Sequence, residues 1–321
     1  MTKLNRDDAL YKKDLKQKIA KLKKEKNAII IVHNYQRKEV QEIADYMGDS
    51  LGLARAAVDT KADIIVFCGV HFMAESASIL NPKKMVLLPV KEAGCPLADM
   101  ITVEKLRQKK NDFPKAAVVC YVNSSAEIKA ESDISCTSSN AIDVVRSIKN
   151  KQIIFVPDKN LGKYVQSQVP EKDIIFWEGF CPTHLRLTEE DVMEAKKQLP
   201  DAEFIAHPEC SPEVLALADH ICSTKGMFDY AKDSKAKEFI VGTESGMLHG
   251  LRKKNPDKKF YVPTTHLICA NMKLTTLGWV AYSLENLVHE VKVADSVSDQ
   301  AAVTLRRMLQ VTEKSYKKVT W

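Results

Sequence analysis

Residues 28–35 read Ala-Ile-Ile-Ile-Val-His-Asn-Tyr, an apolar run that ends in polar side chains. Short, continuous apolar runs of this kind are typical of strands buried in a parallel sheet. Two similar runs follow along the chain, Ala116–Cys120 and Phe204–Ala206. The residues that follow the three runs are spaced 88 and 86 positions apart: His33, Tyr121 and His207. The spacing predicts a repeated unit the size of a small domain.

Further features recur with nearly the same spacing. A hydroxyl-bearing turn precedes a helical segment at Ser50, Ser138 and Thr224. An apolar strand then follows at Ile64–Phe67, Ile153–Val156 and Phe239–Val241, and a last strand is expected to end on a cysteine, at Cys95, Cys181 and Cys269. Strands that alternate with helices indicate parallel sheets covered by helices. We predict an α/β fold of three homologous three-layer α/β/α sandwich domains around a pseudo-threefold axis, with the active site at the centre.

The repeat divides the chain into five predicted segments. These are an N-terminal helical extension (1–26), three α/β repeats (27–114, 115–200 and 201–290) and a C-terminal helical tail (291–321). The repeats contain Cys95, Cys181 and Cys269, in that order. We expect the two terminal segments to dock on the first or third repeat.

Composition excludes several classes of protein. The 48 Lys and Arg residues exceed the 42 Asp and Glu residues, giving a net charge of +6. The lysines are not interleaved with aromatic residues, and no helix-turn-helix, zinc-finger or RNP pattern occurs, so nucleic-acid binding is not expected. The longest apolar runs have the length of strands, which argues against a membrane protein. Residues 1–26 lack the apolar segment of a signal peptide, so we expect a cytoplasmic protein.

Cys95, Cys181 and Cys269 occupy equivalent positions in the three repeats, which suggests a metal centre. Three thiolates around one point match a 4Fe-4S cluster in which one iron has no protein ligand and can act as a Lewis acid. A zinc site is the alternative, since Cys181, His184, His266 and Cys269 make a Cys2His2 set, although it leaves Cys95 unexplained. Packing in the core is the expected role of the other cysteines: Cys68, Cys120, Cys136, Cys210 and Cys222.

The polar residues of the repeats suggest an anionic substrate and proton transfer. Ser50, Ser138 and Thr224 are expected to cap helices whose N-terminal amides attract carboxylates or phosphate. A histidine near a carboxylate can transfer protons near neutral pH, and tyrosines and an amide can orient oxygens. The candidates after the first strands are His33, Tyr35, Tyr121, Asn123, His207 and Glu209, with His184 near Cys181. Weaker candidates are His71, Glu75, Glu244 and Lys273.

At these residues the sequence resembles the quinolinate synthase family of de novo NAD biosynthesis. The resemblance runs from about Ile29 to Leu287 and includes the following stretches: His-Asn-Tyr-Gln (33–36), Gly-Asp-Ser-Leu (48–51), Gly-Val-His-Phe-Met-Ala-Glu (69–75), Gly-Cys-Pro-Leu-Ala-Asp (94–99), Tyr-Val-Asn-Ser-Ser-Ala-Glu (121–127), Cys-Thr-Ser-Ser-Asn-Ala (136–141), Pro-Asp-Lys-Asn-Leu-Gly (157–162), His-Pro-Glu-Cys (207–210) and Cys-Ala-Asn-Met-Lys (269–273). His266 stands at the first position of a CxxC that some relatives carry, so no disulfide switch is expected there.

The resemblance implies condensation of iminoaspartate with dihydroxyacetone phosphate to give quinolinate, without net redox change. It implies one 4Fe-4S cluster per chain, on Cys95, Cys181 and Cys269. The implied substrate-binding residues are His33, Ser50, Tyr121, Asn123, Ser138, His207, Glu209 and Thr224. Catalytic roles are expected for Glu209, His207, Tyr35, Tyr121 and His184. L-aspartate oxidase or dehydrogenase is the implied source of iminoaspartate.

Two other functions also fit a three-cysteine α/β protein. One is a reductive cluster enzyme, similar in concept to hydroxymethylbutenyl diphosphate reductase or the radical enzyme of diphthamide biosynthesis, which would need a supply of electrons. The other is a non-catalytic anion-binding or iron-sensing module, which would bind a dicarboxylate without turnover.

Overall fold

The structure is a computed structural model that describes residues 3–319 and the side chains of residues 8–311. Positions 1, 2, 320 and 321 of the two predicted terminal segments lie outside the described residues. Among the described residues, no helix combines the length and the apolar character that crossing a membrane requires.

The first part of the chain contains a long helix followed by four strands. Its elements are α1 (Lys3–Glu25), β1 (Ala28–His33), α2 (Lys38–Gln41), β2 (Tyr46–Gly48), α3 (Ser50–Asp59), β3 (Ile64–Cys68), α4 (His71–Leu80) and β4 (Met85–Leu87). Asn27 joins α1 to β1 with φ of 46°, a left-handed conformation that Asn adopts more readily than most residues. The strands pair in parallel in the order β2-β1-β3-β4.

The middle part repeats this pattern. Its elements are α5 (Val103–Asp112), β5 (Ala117–Tyr121), α6 (Ala126–Ala130), β6 (Ile134–Cys136), α7 (Ala141–Ser147), β7 (Gln152–Val156), α8 (Lys159–Gln168) and β8 (Asp173–Phe176). The parallel strand order is β6-β5-β7-β8, the same as in the first sheet.

The last part contains a third sheet, and two helices follow its last strand. Its elements are α9 (Pro182–Leu185), α10 (Glu189–Gln198), β9 (Glu203–Ala206), α11 (Pro212–Ala216), β10 (His220–Ile221), α12 (Thr224–Asp233), β11 (Glu238–Gly242), α13 (Met247–Lys254), β12 (Lys259–Tyr261), α14 (Leu277–Asn286) and α15 (Asp295–Val319). The order β10-β9-β11-β12 is again parallel. The prediction of an α/β fold with three parallel sheets is therefore confirmed.

The chain forms two compact units. The first unit contains residues up to Gly94 together with Ala270–Val293, and the second contains Cys95–Cys269 together with the residues from Ala294 onward. In the first unit, Ile19 of α1 and Leu277 and Val280 of α14 pack in one apolar core with the strands β1 and β3. Helix α14 therefore packs on the first sheet, although its residues lie within the predicted third repeat, 201–290. The predicted domain boundaries, and the arrangement about a threefold axis, stay predictions.

Helix α15 docks on the second sheet, so the expectation that it docks on the first or third repeat is wrong. Ala301, Leu305 and Met308 are buried on one face of α15, which contacts α6, β6 and α7. The Oγ1 of Thr304 lies 3.0 Å from the Oγ of Ser135 on β6. The apolar face of α15 predicts that this helix packs on other elements. Which elements it contacts depends on which surface of the folded unit is complementary to that face.

Candidate active site

Glu209 is the centre of a polar network in the second unit. It follows β9 and is 3% exposed. Its Oε2 lies 2.7 Å from Nδ1 of His184 and 3.5 Å from Nδ1 of His207. Its Oε1 accepts a hydrogen bond from Nδ2 of Asn123 at 3.4 Å. The structure thus brings four of the predicted site residues together.

The two histidines are fixed by contacts to both ring nitrogens. The rings of His184 and His207 stack with centroids 4.7 Å apart. The Nε2 of His184 lies 2.8 Å from Oγ1 of Thr243, and the Nε2 of His207 lies 3.1 Å from Oγ of Ser138. Each ring therefore faces Glu209 with one nitrogen and a hydroxyl with the other. Contacts of this kind select the tautomer and orientation of an imidazole.

The surroundings of Glu209 keep it ionised. Burial by itself would raise the pKa of Glu209, but the nearby His184 and His207 and hydrogen bonds from His184 and Tyr121 outweigh burial and lower the pKa to about 2. At neutral pH the group is therefore a carboxylate, which can accept a proton or stabilise a neighbouring imidazolium.

A second buried carboxyl group, Asp158, lies at the end of β7 and was missed by sequence reasoning. It is fully buried, and its Oδ1 accepts a hydrogen bond from the main-chain N of Leu161 at 2.8 Å. Among the described residues, its Oδ2 has no hydrogen-bond partner. Burial, followed by the charge of Glu209, raises the pKa of Asp158 well above its usual value. The available signal was its position, 86 residues before the candidate Glu244 in the next repeat.

The predicted hydroxyl residues lie at the starts of helices, but they are not the caps. Asp49 caps α3 and Ser223 caps α12, so Ser50 and Thr224 are the first residues of those helices. Ser138 precedes Asn140, which occupies the N-cap position of α7. The expected capping role is therefore wrong for these residues, because a cap must precede the helix to reach the amides of its first turn. Ser139 donates a hydrogen bond to Ser223 at 2.9 Å, which links two of these turns.

The three predicted metal ligands all lie in the second unit. Cys95, Cys181 and Cys269 are free thiols that are only partly buried. Burial raises the pKa of Cys95 to about 12, and the charges of Glu209 and Cys269 add to this effect. Burial also raises the pKa of Cys181, with further contributions from Glu209 and Cys95. The three sulfurs are thus close enough for their charges to interact.

This donor set fits a 4Fe-4S cluster. Such clusters are held by cysteine thiolates, and the three cysteines are neither paired in disulfides nor sealed in the core. Bound iron stabilises the thiolate form, so the raised pKa values describe only the metal-free thiols. Four of the other cysteines are fully buried and pack in the interior, as expected: Cys68, Cys120, Cys136 and Cys210. Cys222 is partly buried.

Loops, rather than strands, carry the three cysteines, which corrects the prediction that a strand ends on each of them. The last strands of the three sheets end at Leu87, Phe176 and Tyr261. One main-chain hydrogen bond of 2.8 Å recurs two residues before each cysteine, from His71 to Ala93, from Lys159 to Gly179 and from Ser245 to Leu267. In each sheet, this bond joins the cysteine loop to the segment that follows the third strand along the chain, which is β3, β7 or β11.

The weaker candidate Glu244 adds a side-chain contact to the third of these loops. It is fully buried, its Oε1 accepts a hydrogen bond from the main-chain N of Cys269 at 3.2 Å, and its Oε2 accepts one from Gly246 at 2.7 Å. Glu244 therefore positions the Cys269 main chain.

Three further predicted residues lie in the first unit. The main-chain N of Tyr35 donates to Nδ1 of His33 at 3.2 Å, and the two rings meet edge to face with centroids 4.6 Å apart. Ser50 begins α3. Lys273, a weaker candidate, donates from Nζ to the carbonyl oxygen of Tyr35. The weaker candidates His71 and Glu75 pair along α4, with Nδ1 and Oε1 3.6 Å apart.

The predicted zinc set is not gathered as proposed. Among the described side chains, the ligand atoms that lie within 4.8 Å of one another are those of Cys181, His184 and Glu209. This group contains neither Cys269 nor the exposed His266. The third ligand atom of the group comes instead from Glu209, which follows β9.

Fold and site together define a parallel α/β protein in which the segments after the strands carry thiol, imidazole and carboxylate groups. Residues 17–310 match the family model described as Quinolinate synthetase A protein. The chain belongs to this family.

Several curated relatives are named quinolinate synthase. The protein of Caldicellulosiruptor saccharolyticus is 54% identical over 93% of this chain and 98% of its own length. That of Alkaliphilus metalliredigens is 55% identical over 91% of this chain and 97% of its own. That of Methanosarcina barkeri is 56% identical over 93% of this chain and 98% of its own length.

Proposed function

We propose that this chain condenses iminoaspartate with dihydroxyacetone phosphate to form quinolinate, phosphate and two molecules of water. The atoms balance without an external oxidant or reductant, so the reaction needs proton transfers, dehydration and phosphate loss rather than electron transfer. The observation that carries the proposal is the contact of the Glu209 carboxylate with His184 and His207, in the same unit as the three free cysteines.

Cys95, Cys181 and Cys269 would hold a 4Fe-4S cluster. When bound, the cluster would supply an iron without a protein ligand, which acts as a Lewis acid on an oxygen atom during dehydration. Supporting this assignment, the three thiols interact electrostatically, and main-chain hydrogen bonds hold their loops.

Glu209 would act as the proton acceptor. Its low pKa keeps it ionised at neutral pH, and buried contacts fix its two oxygens. His184 and His207 face its Oε2 and would take over or return the proton as an imidazole and imidazolium pair. Tyr121 donates a hydrogen bond to Glu209 and is therefore in position to join the same transfer.

The remaining polar residues would bind the substrates. Asn123 and the hydroxyls of Ser138 and Thr224 offer uncharged donors in the second unit, which suit the carboxylates and phosphate of the two substrates. His33, Tyr35 and Ser50 would also bind substrate, with Tyr35 as a further proton donor.

The supply of iminoaspartate would come from an enzyme that oxidises L-aspartate, an oxidase or a dehydrogenase. We further propose that the chain functions in the cytoplasm, where thiols stay reduced and a cysteine-ligated cluster can persist.

The test is an anaerobic assay of the purified chain. Iminoaspartate is generated in place from L-aspartate, dihydroxyacetone phosphate is added, and quinolinate is measured by chromatography, with iron and acid-labile sulfide measured on the same sample. We expect about four iron and four sulfide per chain and quinolinate formation without added reductant. Protein that carries the cluster yet forms no quinolinate would contradict the proposed activity.

A further inference from the structure

Cys181, His184 and Glu209 form a group with the composition of a single-ion site. The Nδ1 of His184 lies 3.1 Å from Sγ of Cys181 and 2.7 Å from Oε2 of Glu209. All three atoms lie within 4.8 Å of one another. One sulfur, one nitrogen and one oxygen, converging on one point, are the donor types that zinc binds tetrahedrally.

The groups around this triad hold its members as metal ligands are usually held. Metal-binding histidines engage their second ring nitrogen with a neighbouring polar group, and ligating carboxylates are hydrogen-bonded in turn. The Nε2 of His184 lies 2.8 Å from Oγ1 of Thr243, and Oε1 of Glu209 accepts from Asn123 at 3.4 Å. The triad is therefore pre-oriented without any metal.

The surroundings also favour a cation. His184 and Glu209 are almost completely buried, and Oδ2 of the fully buried Asp158 has no hydrogen-bond partner in the part of the chain that the structure describes. Carboxyl groups in such a setting are stabilised by a nearby positive charge. Cys181 is only partly buried, which provides a route for an ion to enter.

We propose that Cys181, His184 and Glu209 bind one divalent zinc-like ion whenever no cluster is present, and that this ion and the cluster exclude each other. The exclusion rests on the proposed function, because there Cys181 is a cluster ligand and its thiolate cannot serve both centres. Three protein ligands leave a fourth tetrahedral position, which water would fill. Zinc would then hold the chain in an inactive form until iron and sulfide displace it.

Cobalt titration of cluster-free protein tests the site directly. Reduced, metal-free protein is titrated with Co²⁺ under nitrogen, because Co²⁺ substitutes for zinc and its absorption reports both sulfur ligation and tetrahedral geometry. We expect one Co²⁺ per chain, with a thiolate charge-transfer band and strong visible bands that excess Zn²⁺ abolishes. Absence of a saturable one-to-one band would overturn the proposal.

Matched variants distinguish this triad from the other thiols. Cys181→Ala and Cys181→Ser should lose the charge-transfer band, and His184→Ala and Glu209→Gln should weaken Co²⁺ binding at least about tenfold. Cys95→Ala, Cys269→Ala and Cys210→Ala should keep the one-to-one band, because those sulfurs lie outside the triad. Circular dichroism and thermal unfolding confirm which variants are folded. Loss of the band in folded Cys95→Ala or Cys269→Ala would assign the ion to the three-cysteine set and overturn the proposal.

A reconstitution experiment separates this inference from the proposed function. Protein preloaded with one Zn²⁺ and metal-free protein are each treated anaerobically with iron and sulfide, and the cluster is followed by its visible absorption. We expect at least tenfold slower cluster formation in the zinc-loaded sample. Equal rates would overturn the exclusion, even if quinolinate is formed. Failure of metal-free protein to assemble a cluster would count against the proposed function, whereas the cobalt result would stand independently.

Discussion

Glu209 and Asp158 show how residue environment sets chemistry in this site. Both carboxyl groups are buried in the second unit, but Glu209 faces two imidazoles and stays ionised. One oxygen of Asp158 has no hydrogen-bond partner within residues 8–311, and burial raises the pKa of this group. Pairs of carboxyl groups with opposed pKa shifts are a common way to provide a base and an acid in one site. These opposed shifts support the proposal that Glu209 acts as the base.

Glu209→Gln should lower quinolinate formation by at least about 100-fold, because an amide cannot accept the proton. Iron and sulfide contents should stay at the wild-type level, since the cysteines are unchanged. Product formation and metal content are measured on the same preparation. Glu213→Gln is the control, since this glutamate is exposed on α11, and its activity should match the wild type. Near-normal turnover in Glu209→Gln would remove Glu209 from proton transfer.

His220 provides a prediction on the pH dependence of stability. Its ring stacks on Tyr230 with centroids 4.0 Å apart, and burial lowers its pKa. A lowered pKa in the folded state means that the unfolded chain binds the proton more tightly, so stability is full above pH ~6.5 and falls as the pH drops below it. Relative to His220→Gln, the wild type should lose stability between pH 7.5 and pH 5, as measured by denaturant unfolding. A constant difference between the two proteins would contradict this.

At the scale of elements, the cysteine loops show why side-chain support matters. The strands β4, β8 and β12 stop several residues before the cysteines, so hydrogen bonds to the neighbouring segments fix the loops. Glu244 strengthens the third loop by accepting hydrogen bonds from the main-chain N of Cys269 and of Gly246. Removal of one acceptor from a buried pair leaves a donor unsatisfied.

Glu244→Gln should destabilise the protein by about 1–3 kcal/mol, because one of the two main-chain donors would face an amide NH2. The cluster should also be lost faster in air, since the Cys269 loop is less constrained. Denaturant unfolding and the decay of cluster absorption are the measurements. The matched control Glu238→Gln changes a partly exposed ion pair with Lys259 and should cost less than about 1 kcal/mol. If Glu244→Gln and Glu238→Gln lower the free energy of unfolding equally, the hydrogen bonds of Glu244 contribute no more to stability than a partly exposed ion pair.

At the scale of the whole molecule, the terminal helices extend the cores of different sheets. Helix α1 contributes Ile19 to the first core, while α15 covers α6 and α7 beside the second sheet. Leu305 of α15 is completely buried, whereas Val303, two residues earlier, is 43% exposed.

Leu305→Ala should lower the free energy of unfolding by about 2–5 kcal/mol, because it leaves a cavity under α15. Val303→Ala on the exposed face should change it by less than about 0.5 kcal/mol. Thermal and denaturant unfolding of both variants test the docking of α15. A small effect of Leu305→Ala would mean that the second sheet is stable without this helix.

The three cysteines are equivalent by repeat position, so their replacement should have equivalent effects on the proposed cluster. Cys95→Ala, Cys181→Ala and Cys269→Ala should each reduce iron and sulfide from about four per chain to near zero, because two thiolates do not retain the cluster. Cys222 is partly buried and does not share the repeat position of the three cysteines, so Cys222→Ala should keep both iron and sulfide. Retention of iron and sulfide in any of the three variants would exclude that cysteine as a ligand.

Much of this protein follows from sequence alone, because local patterns repeat. The apolar runs at residues 28–32, 153–156 and 239–241 lie in strands β1, β7 and β11. The short strands β2, β6 and β10 were missed, since two or three residues carry too little periodicity to be recognised. The 86- to 88-residue spacing also indicated which cysteines to consider together.

Contacts across the chain were decided only by tertiary structure. Sequence analysis placed Glu209, His207 and His184 among the candidates, but the approach of His184, on α9, to within 2.7 Å of Glu209 depends on tertiary packing. Other features also depend on contacts between residues distant in sequence. These are the packing of α15 on α6 and β6, the burial of Asp158 and the hydrogen bond from the main-chain N of Cys269 to Glu244. The physical reason is that propensity and periodicity act within a few turns or strands, whereas burial and side-chain geometry depend on the packed surfaces that those elements form.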